Sequence, residues 1–444
     1  MIFSPLARAI TLATAGSLLL AVPSAAVADF INDSKASLEL RNFYMNRDFR
    51  DSTTSTNTKP PKLVGKDEFR SKSEEWAQGF ILRFESGYTE GTVGLGLDAI
   101  GSVGIKLDSG RGRSDTQLLQ VSKSTGKAED NYGDLGVAAK AKVSKSVLKV
   151  GTLMPRLPIV GTNLEGRLLP QTFQGGILTT QEIDGLTVDL GRLNRVNQRN
   201  SSDNEVLRIN NVANGEIKVK GSKFKAGKEG ESTAFDFASF NYKWNSDLST
   251  TYSFSNLDDL YKQHVLNGVH VWNLGDKRSL KTDLRFSRST NDGKSNVDNK
   301  AFSGMLTYAF GYSKVGASYQ KMTGDTGYAY VAGTDPFLVN YSQIRDFAAK
   351  DEKSWQLRYD YNFAGIGIPG LSLFTRYVSG SGVDRGDNKS SGNEWERDFD
   401  VTYAFQEGPL KNFSVRWRNS MVRSNFFRDL DENRLIVGYS LPLW

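Results

Sequence analysis

The feature that most constrains this chain is period-two alternation of apolar and polar side chains, repeated in segment after segment. Phe80, Leu82 and Phe84 alternate with Ile81, Arg83 and Glu85. Trp355, Leu357, Tyr359 and Tyr361 alternate with Gln356, Arg358, Asp360 and Asn362, and Phe399, Val401 and Tyr403 with Asp400 and Thr402. Successive side chains of a strand point to opposite faces, so each segment reads as a strand with one greasy and one polar side. In 411–420 (KNFSVRWRNS), Phe413, Val415 and Trp417 share one face while Arg416 and Arg418 share the other. A soluble core would bury those guanidiniums unpaired, which is costly. The apolar face must therefore meet lipid, and the arginines must look onto water. No comparably long stretch carries a convincing helical period.

The connections are of two kinds. Short ones include 87–91, 243–247, 273–278, 310–314, 363–370 and 406–412. Long polar ones lie near 47–76, 108–133, 152–182, 195–204, 255–268, 288–300, 321–353, 379–396 and 420–433. One further connection, roughly 211–232, falls in the short series although it is not short. Nine long and eight other connections join about eighteen strands. Tyr88, Trp244, Phe310, Tyr361 and Phe363 place aromatic rings at strand ends on the apolar face. Short turns at one end, long loops at the other and interfacial aromatics predict an all-β, transmembrane antiparallel β-barrel in the outer membrane of a Gram-negative bacterium. A closed barrel pairs every backbone polar group in lipid without helices. A secreted β-sandwich or solenoid would also alternate, but would not need so many rings at strand ends.

The N-terminus supports export. Arg8 precedes an apolar run from Ala9 to Val22 and the small-residue site Ala26, Val27, Ala28, which predicts a signal peptide over 1–28 and a barrel over 29–444. At the other end, Leu435, Val437, Tyr439, Leu441 and Leu443 share a parity. That final amphipathic strand looks like the signal read by the outer-membrane assembly machinery, although Trp444 falls on the opposite parity and Pro442 lacks a donor. The chain has no cysteine, which excludes disulfides, thiolate nucleophiles and thiolate-bound metals. Its two histidines, His264 and His270, form no recognisable triad spacing, and His264 reads as an outer-loop surface residue. Gly94, Gly96 and Gly101 precede no helix and are no dinucleotide fingerprint. The net charge of +6 is modest and spread out, so nucleic acid is not implied. No enzyme, cofactor or metal is called for.

Parity points Arg41, Arg83, Arg285, Arg358, Arg376, Arg416, Arg418 and Arg434 into the lumen, with Glu39, Glu85, Asp98, Asp283, Asp360 and Asp400. A salt-bridged wall would need both signs. In the last strands, however, Arg358, Arg376, Arg416, Arg418 and Arg434 outnumber Asp360 and Asp400. Arginines two apart sit about 7 Å from one another along a strand, and each guanidinium can take a carboxylate bidentately while staying charged. A barrel of this size would be an open channel unless something narrows it. Segment 151–176, carrying Arg156 and Arg167, and segment 333–347, carrying Asp335, Tyr341, Arg345 and Asp346, are the candidates. Either could instead form an outer lid.

Several stretches together resemble the OprD-type (Occ) substrate-specific outer-membrane porins of pseudomonads, over essentially the whole mature length. They are 37–49 (SLELRNFYMNRDF), 78–101 (QGFILRFESGYTEGTVGLGLDAIG), 167–175 (RLLPQTFQG), 257–267 (LDDLYKQHVLN), 352–362 (EKSWQLRYDYN), 368–380 (IPGLSLFTRYVSG), 413–418 (FSVRWR) and 433–439 (NRLIVGY). The resemblance implies eighteen strands, third and seventh loops folded inward to form an eyelet, and a ladder of basic residues for small carboxylate-bearing nutrients. By matching motif the ladder would include Arg358, Arg376, Arg416 and Arg418, with Asp346 as the seventh-loop acid. Ile344 stands where the basic-amino-acid members have tyrosine, Arg345 adjoins the acid, and 191–200 (GRLNRVNQRN) is more basic than its counterpart. These departures lean toward the OccK-like branch, handling anionic or aromatic carboxylates. Arg41, Arg156, Arg167 and Tyr341 complete the expected substrate contacts. The expected partners are those carboxylates, outer-membrane lipid and the assembly machinery, with the barrel a monomer or weak homotrimer. The alternatives are a basic-amino-acid-selective member, a general size-sieving trimeric porin, a plugged adhesion barrel and an outer-membrane hydrolase.

Overall fold

The computed structural model describes residues 30–50, 71–110, 112–122, 124–162, 164–210, 217–219, 230–386 and 389–444. The expected signal segment lies outside the described residues. The wall begins with β1 (Lys35–Phe49), β2 (Lys72–Glu85), β3 (Gly94–Ser109), β4 (Asn131–Val143), β5 (Ser146–Leu153) and β6 (Thr172–Thr180). It continues through β7 (Leu186–Asn197), β8 (Phe235–Lys243), β9 (Leu248–Leu257), β10 (Tyr261–Gly275), β11 (Arg278–Asn291) and β12 (Asp298–Phe310). The last six are β13 (Ser313–Thr323), β14 (Lys353–Asn362), β15 (Leu371–Val383), β16 (Gly392–Ala404), β17 (Phe413–Ser424) and β18 (Leu430–Pro442). Each pairs antiparallel with the next, and β18 pairs with β1 from Ser37 opposite Pro442 to Phe49 opposite Leu430, closing an 18-strand barrel.

The strand number agrees with the sequence reading, but two boundaries do not. The stretch 152–182 is a loop followed by β6, while the expected connections 195–204 and 211–232 both fall between β7 and β8, with no further wall strand between them among the described residues; 211–216 and 220–229 lie outside those residues. The two errors cancel in the count. The stretch 255–268 is mostly strand, with only 258–260 turning. His264 consequently lies in β10, facing outward, where its Nδ1 is 2.8 Å from the Tyr252 hydroxyl and its ring packs on Phe254. Polar residues on the outer rim of a strand read as loop because the apolar face there has already passed out of the lipid.

The barrel interior carries apolar side chains as well as charges. Inward-facing Phe43, Met45, Ile81 and Ile100 bury Leu118, Leu119, Leu168 and Leu169 from the inner loops. A second cluster joins Phe173, Leu193, Phe235 and Val265 of the wall to Val160, Leu207, Ile209 and Val331. Two wall glycines make room for this. A Cβ at Gly79 or Gly104 would stand 3.1 or 3.0 Å from the Leu168 side chain. Burial of a leucine is worth about 1.5–3 kcal/mol, so these loops are fastened inside the barrel rather than laid over its mouth.

Candidate functional site: a basic cavity at the constriction

Two loops enter the lumen. The first, 154–171, is gripped by Arg41, whose Nη1 donates to the carbonyls of Leu164 (2.9 Å) and Arg167 (2.7 Å) while Glu39 holds the rest of its guanidinium. The second, 324–352, is gripped by wall side chains of β13 and β16. Gln320 donates to the Phe347 carbonyl at 2.6 Å, and the Glu396 carboxylate accepts the backbone N–H groups of Ile344 (2.9 Å) and Arg345 (2.7 Å). Arg345 turns to Glu394 and stacks on Phe427, 4.1 Å from its centroid.

Between these loops and β14–β18 lies a cavity of about 850 Å³. Among the described residues its lining includes eight arginines (Arg47, Arg167, Arg199, Arg358, Arg376, Arg416, Arg418 and Arg434) and Lys314, against Asp346, Asp360 and Asp400. Strand register explains how they meet. One cross-strand row runs Arg358, Arg376, Asp398, Ser420, Glu432, Arg47, and the next runs Asp360, Phe374, Asp400, Arg418, Arg434. In these rows, and in the next one, where Arg416 is opposite Thr402, the guanidiniums share one habit: the edge nearest the wall clamps a wall carboxylate. Arg358 gives Nε and Nη2 to Asp360 at 2.7 and 2.6 Å, and Arg416 gives the same two atoms to Asp400 at 2.7–3.0 Å. Arg376 binds Asp398 at 2.7 Å and Arg434 binds Glu432 at 2.6 Å.

What the other edge does sorts them. Nη1 of Arg376 donates to the Tyr341 carbonyl (2.9 Å) and Nη1 of Arg434 to the Gly166 carbonyl (3.2 Å), so both brace the loops. Nη1 of Arg416 meets Glu165 at the tip of the first loop, 3.1 Å away. Arg167 is 8% exposed and donates only to the Gly166 carbonyl and weakly to Gln117, with no carboxylate in ion-pair range among the described residues. Burial, reinforced by Arg434, Arg47 and Arg199, lowers its proton affinity well below the arginine norm. Across the cavity Asp346 accepts the Tyr330 hydroxyl at 2.5 Å, and burial pushes its carboxyl above the usual aspartate range. Tyr341 donates to Asp335 at 2.8 Å, and burial raises its hydroxyl as well.

Of the residues expected to touch substrate, Arg167, Arg358, Arg376, Arg416, Arg418, Asp346 and Tyr341 line this cavity. Two do not. Arg41 is a loop clamp, and Arg156 opens onto a separate cavity of about 630 Å³ with Glu165, Asp335 and Phe337. The expected excess of arginine over acid in the last strands is also wrong for the wall as a whole. Glu394, Glu396, Asp398 and Glu432 all point inward, buried behind the guanidiniums. They share the parity of Asp400 and Arg434, so the alternation itself carried the signal. Arg345 pairs with Glu394 and does not itself line the cavity beside Asp346, and of the basic run 191–200 only Arg199 reaches the cavity, while Arg192 pairs outside with Asp236 at 2.5 Å. Among the lining residues that went unforeseen are Arg47, Arg199, Lys314 and Phe374. The Phe374 ring sits beneath Arg358 and Arg376, at 4.3 and 5.5 Å.

A closed barrel with lipid-facing rings outside and a loop-narrowed charged lumen is an outer-membrane channel, not an enzyme. The chain belongs to the outer membrane porin, OprD family, whose model matches residues 28–443. The porin-like protein GalP of Pseudomonas putida is 34% identical over 435 residues, covering 96% of this chain and 97% of its own. The crystal structure of Pseudomonas aeruginosa OpdQ is 55% identical, covers 94% of this chain and all of its own, and superposes with a TM-score of 0.82. That of Pseudomonas aeruginosa OpdK with vanillate is 37% identical with the same coverage and a TM-score of 0.81.

Proposed function

We propose that this porin is selective for small carboxylate-bearing nutrients, anionic or aromatic, which pass inward by diffusion along the guanidiniums of the constriction. The observation that carries this is the charge of the lining, eight arginines and a lysine against three carboxylates. Arg358, Arg416 and Arg418 serve as successive stations, and Arg167 adds an uncompensated charge above them. A carboxylate that sheds water at the constriction regains the loss against these donors. It leaves again because Asp360 and Asp400 already half-neutralise each station, and conduction requires binding that is favourable but not tight. Phe374 offers a flat apolar face beside Arg358 and Arg376. The relative OpdK was solved with vanillate, an aromatic carboxylate, which supports the same substrate class.

The test is single-channel current in a planar bilayer, with benzoate, aspartate and arginine added in turn. Small conductance with brief, concentration-dependent blocks by the carboxylates is expected. Strongest block by arginine would favour a basic-amino-acid channel. Large steady current indifferent to all three would mean a general size-sieving pore.

A further inference from the structure

At the long-loop end of the barrel's outer surface, three lysines stand side by side without a counter-charge. Lys321 of β13 and Lys353 of β14 are direct cross-strand partners. Lys300 of β12 is opposite Thr323 on one side, one diagonal step from Lys321, and opposite Arg288 of β11 on the other. Direct partners have Cβ atoms about 4.5–5.5 Å apart and diagonal neighbours about 7–8 Å, so four cations share one patch. Arg288 is paired with Asp298. Lys300, Lys321 and Lys353 are exposed, and among the described residues no carboxylate lies in ion-pair range of any of them.

Like charges placed directly opposite on neighbouring strands repel. Elsewhere on this outward-facing rim the fold supplies the missing sign: Lys72 with Glu74 (2.8 Å), Arg192 with Asp236 (2.5 Å), Lys262 with Asp292 (2.8 Å) and Arg423 with Asp431 (2.7 Å). Arg397 stands singly and donates to Asn419. Among the described residues, the lysine patch alone gathers several cations and leaves them unmatched. Directly beneath it is a second layer. Two residues deeper along each strand, on the same face, lie Phe286, Phe302, Tyr319 and Trp355, all exposed to the surroundings of the barrel. Phe286 is opposite Phe302 and Tyr319 is opposite Trp355. Cations at headgroup level above rings at acyl level fit an amphiphile lying along the wall.

We infer that this face of β11–β14 binds an anionic lipid of the outer leaflet through its phosphate headgroup. Lys300, Lys321 and Lys353 take the phosphate oxygens, and the four rings below carry the acyl chains. The ring layer is what favours a lipid over a free phosphate, since inorganic phosphate would gain nothing from it. The site lies outside the pore and is independent of which solute the pore carries.

The test uses the full-length barrel in neutral detergent, titrated with bisphosphorylated lipid A and with the same lipid after phosphate removal, read by native mass spectrometry. The phosphorylated lipid should bind at least about tenfold more tightly, and the triple variant Lys300→Ser/Lys321→Ser/Lys353→Ser should lose about one to two orders of magnitude of that affinity. Lys262→Ser, which removes an outer-rim lysine that already has a carboxylate, should leave it unchanged. Equal binding of the two lipids, or full affinity in the triple variant, overturns the assignment. So does displacement of the lipid by inorganic phosphate at equal concentration, which would make this a free-anion site. Heat-modifiable migration on gels checks that the variant barrel is folded, and the single Lys321→Ser substitution, with about a fivefold loss, decides the matter if the triple variant is not.

Discussion

Replacing Glu165 with glutamine should tighten carboxylate block of the pore, whereas replacing Arg416 with alanine should weaken it. Arg416 spends its Nε and Nη2 on Asp400, a carboxylate in the wall, and its Nη1 on Glu165. The lumen-facing donor of that rung is therefore already held by a carboxylate of the chain itself. The Glu165 side chain is 75% exposed and Arg416 29%, so the pair is solvent-screened and worth about 0.2–1 kcal/mol. A substrate carboxylate must displace it before binding there. Removing the competitor should strengthen block by at most about fivefold. Removing Arg416 takes away a charge-assisted contact of about 1.5–3 kcal/mol, or roughly ten- to a hundredfold in affinity. Asp400 stays neutralised in that variant because Arg418 Nε lies 2.9 Å from it, so the barrel should fold. The assay is the duration of benzoate blocks at fixed voltage for both single variants and the double. Glu165→Gln should have no effect once Arg416 is gone. Weaker block in Glu165→Gln, or an equal gain in both backgrounds, would refute the competition.

Three further outcomes follow from the same geometry. Arg41→Ala should raise conductance and current noise and lower discrimination between solutes, because the carbonyls of Leu164 and Arg167 lose a charged donor worth about 1.5–3 kcal/mol; bilayer conductance reads this directly. Phe374→Leu should weaken block by benzoate more than by succinate, since it removes the ring beside Arg358 and Arg376 while leaving both charges; the ratio of the two block constants is the measure. Asp346 has a raised pKa through burial, so it stays protonated above the ordinary aspartate value of about 4 and ionises as pH rises through its own higher value. Anion block should therefore weaken with rising pH above about 4, measured with benzenesulfonate, which stays ionised throughout, and Asp346→Asn should remove that component.

The barrel was legible because lipid enforces alternation on every strand, and a one-residue slip would turn each face inside out. The same rule exposed Arg358, Arg376, Arg416 and Arg418. It would equally have exposed Glu394, Glu396, Asp398 and Glu432 had parity been followed to the outer ends of β16 and β18. There the outward residues, such as Arg397, are no longer apolar, and the contrast between faces fades. The division of labour among the arginines was out of reach. Arg41 and Arg358 have the same parity, composition and strand neighbours of similar polarity, yet one holds a loop and the other faces the pore. That difference comes from where 154–171 crosses the lumen, which depends on Leu168 seating against Gly79 and Gly104, contacts far apart in sequence. Arg199 was hidden for the same reason, because its place is set by a loop carrying no periodic pattern.

The buried acids also explain how so many guanidiniums can be packed at one constriction. An unpaired charge in a low-dielectric wall is costly, and eight neighbouring cations would repel one another. Carboxylates on the same or the adjacent strand hold one edge of Arg358, Arg376, Arg416 and Arg434, fixing each plane and cancelling most of its cost. They do so from the wall side, so the remaining edge is presented inward, to a loop carbonyl or to the lumen. Strand register makes this possible: residues two apart on one strand, or opposite on the next, lie behind the guanidinium and not across the pore. A wall with the same arginines but no acids would hold an anion too tightly to release it. One with the acids across the lumen would leave no donor for a solute. The paired rows give a wall that is locally neutralised yet presents donors to the passage.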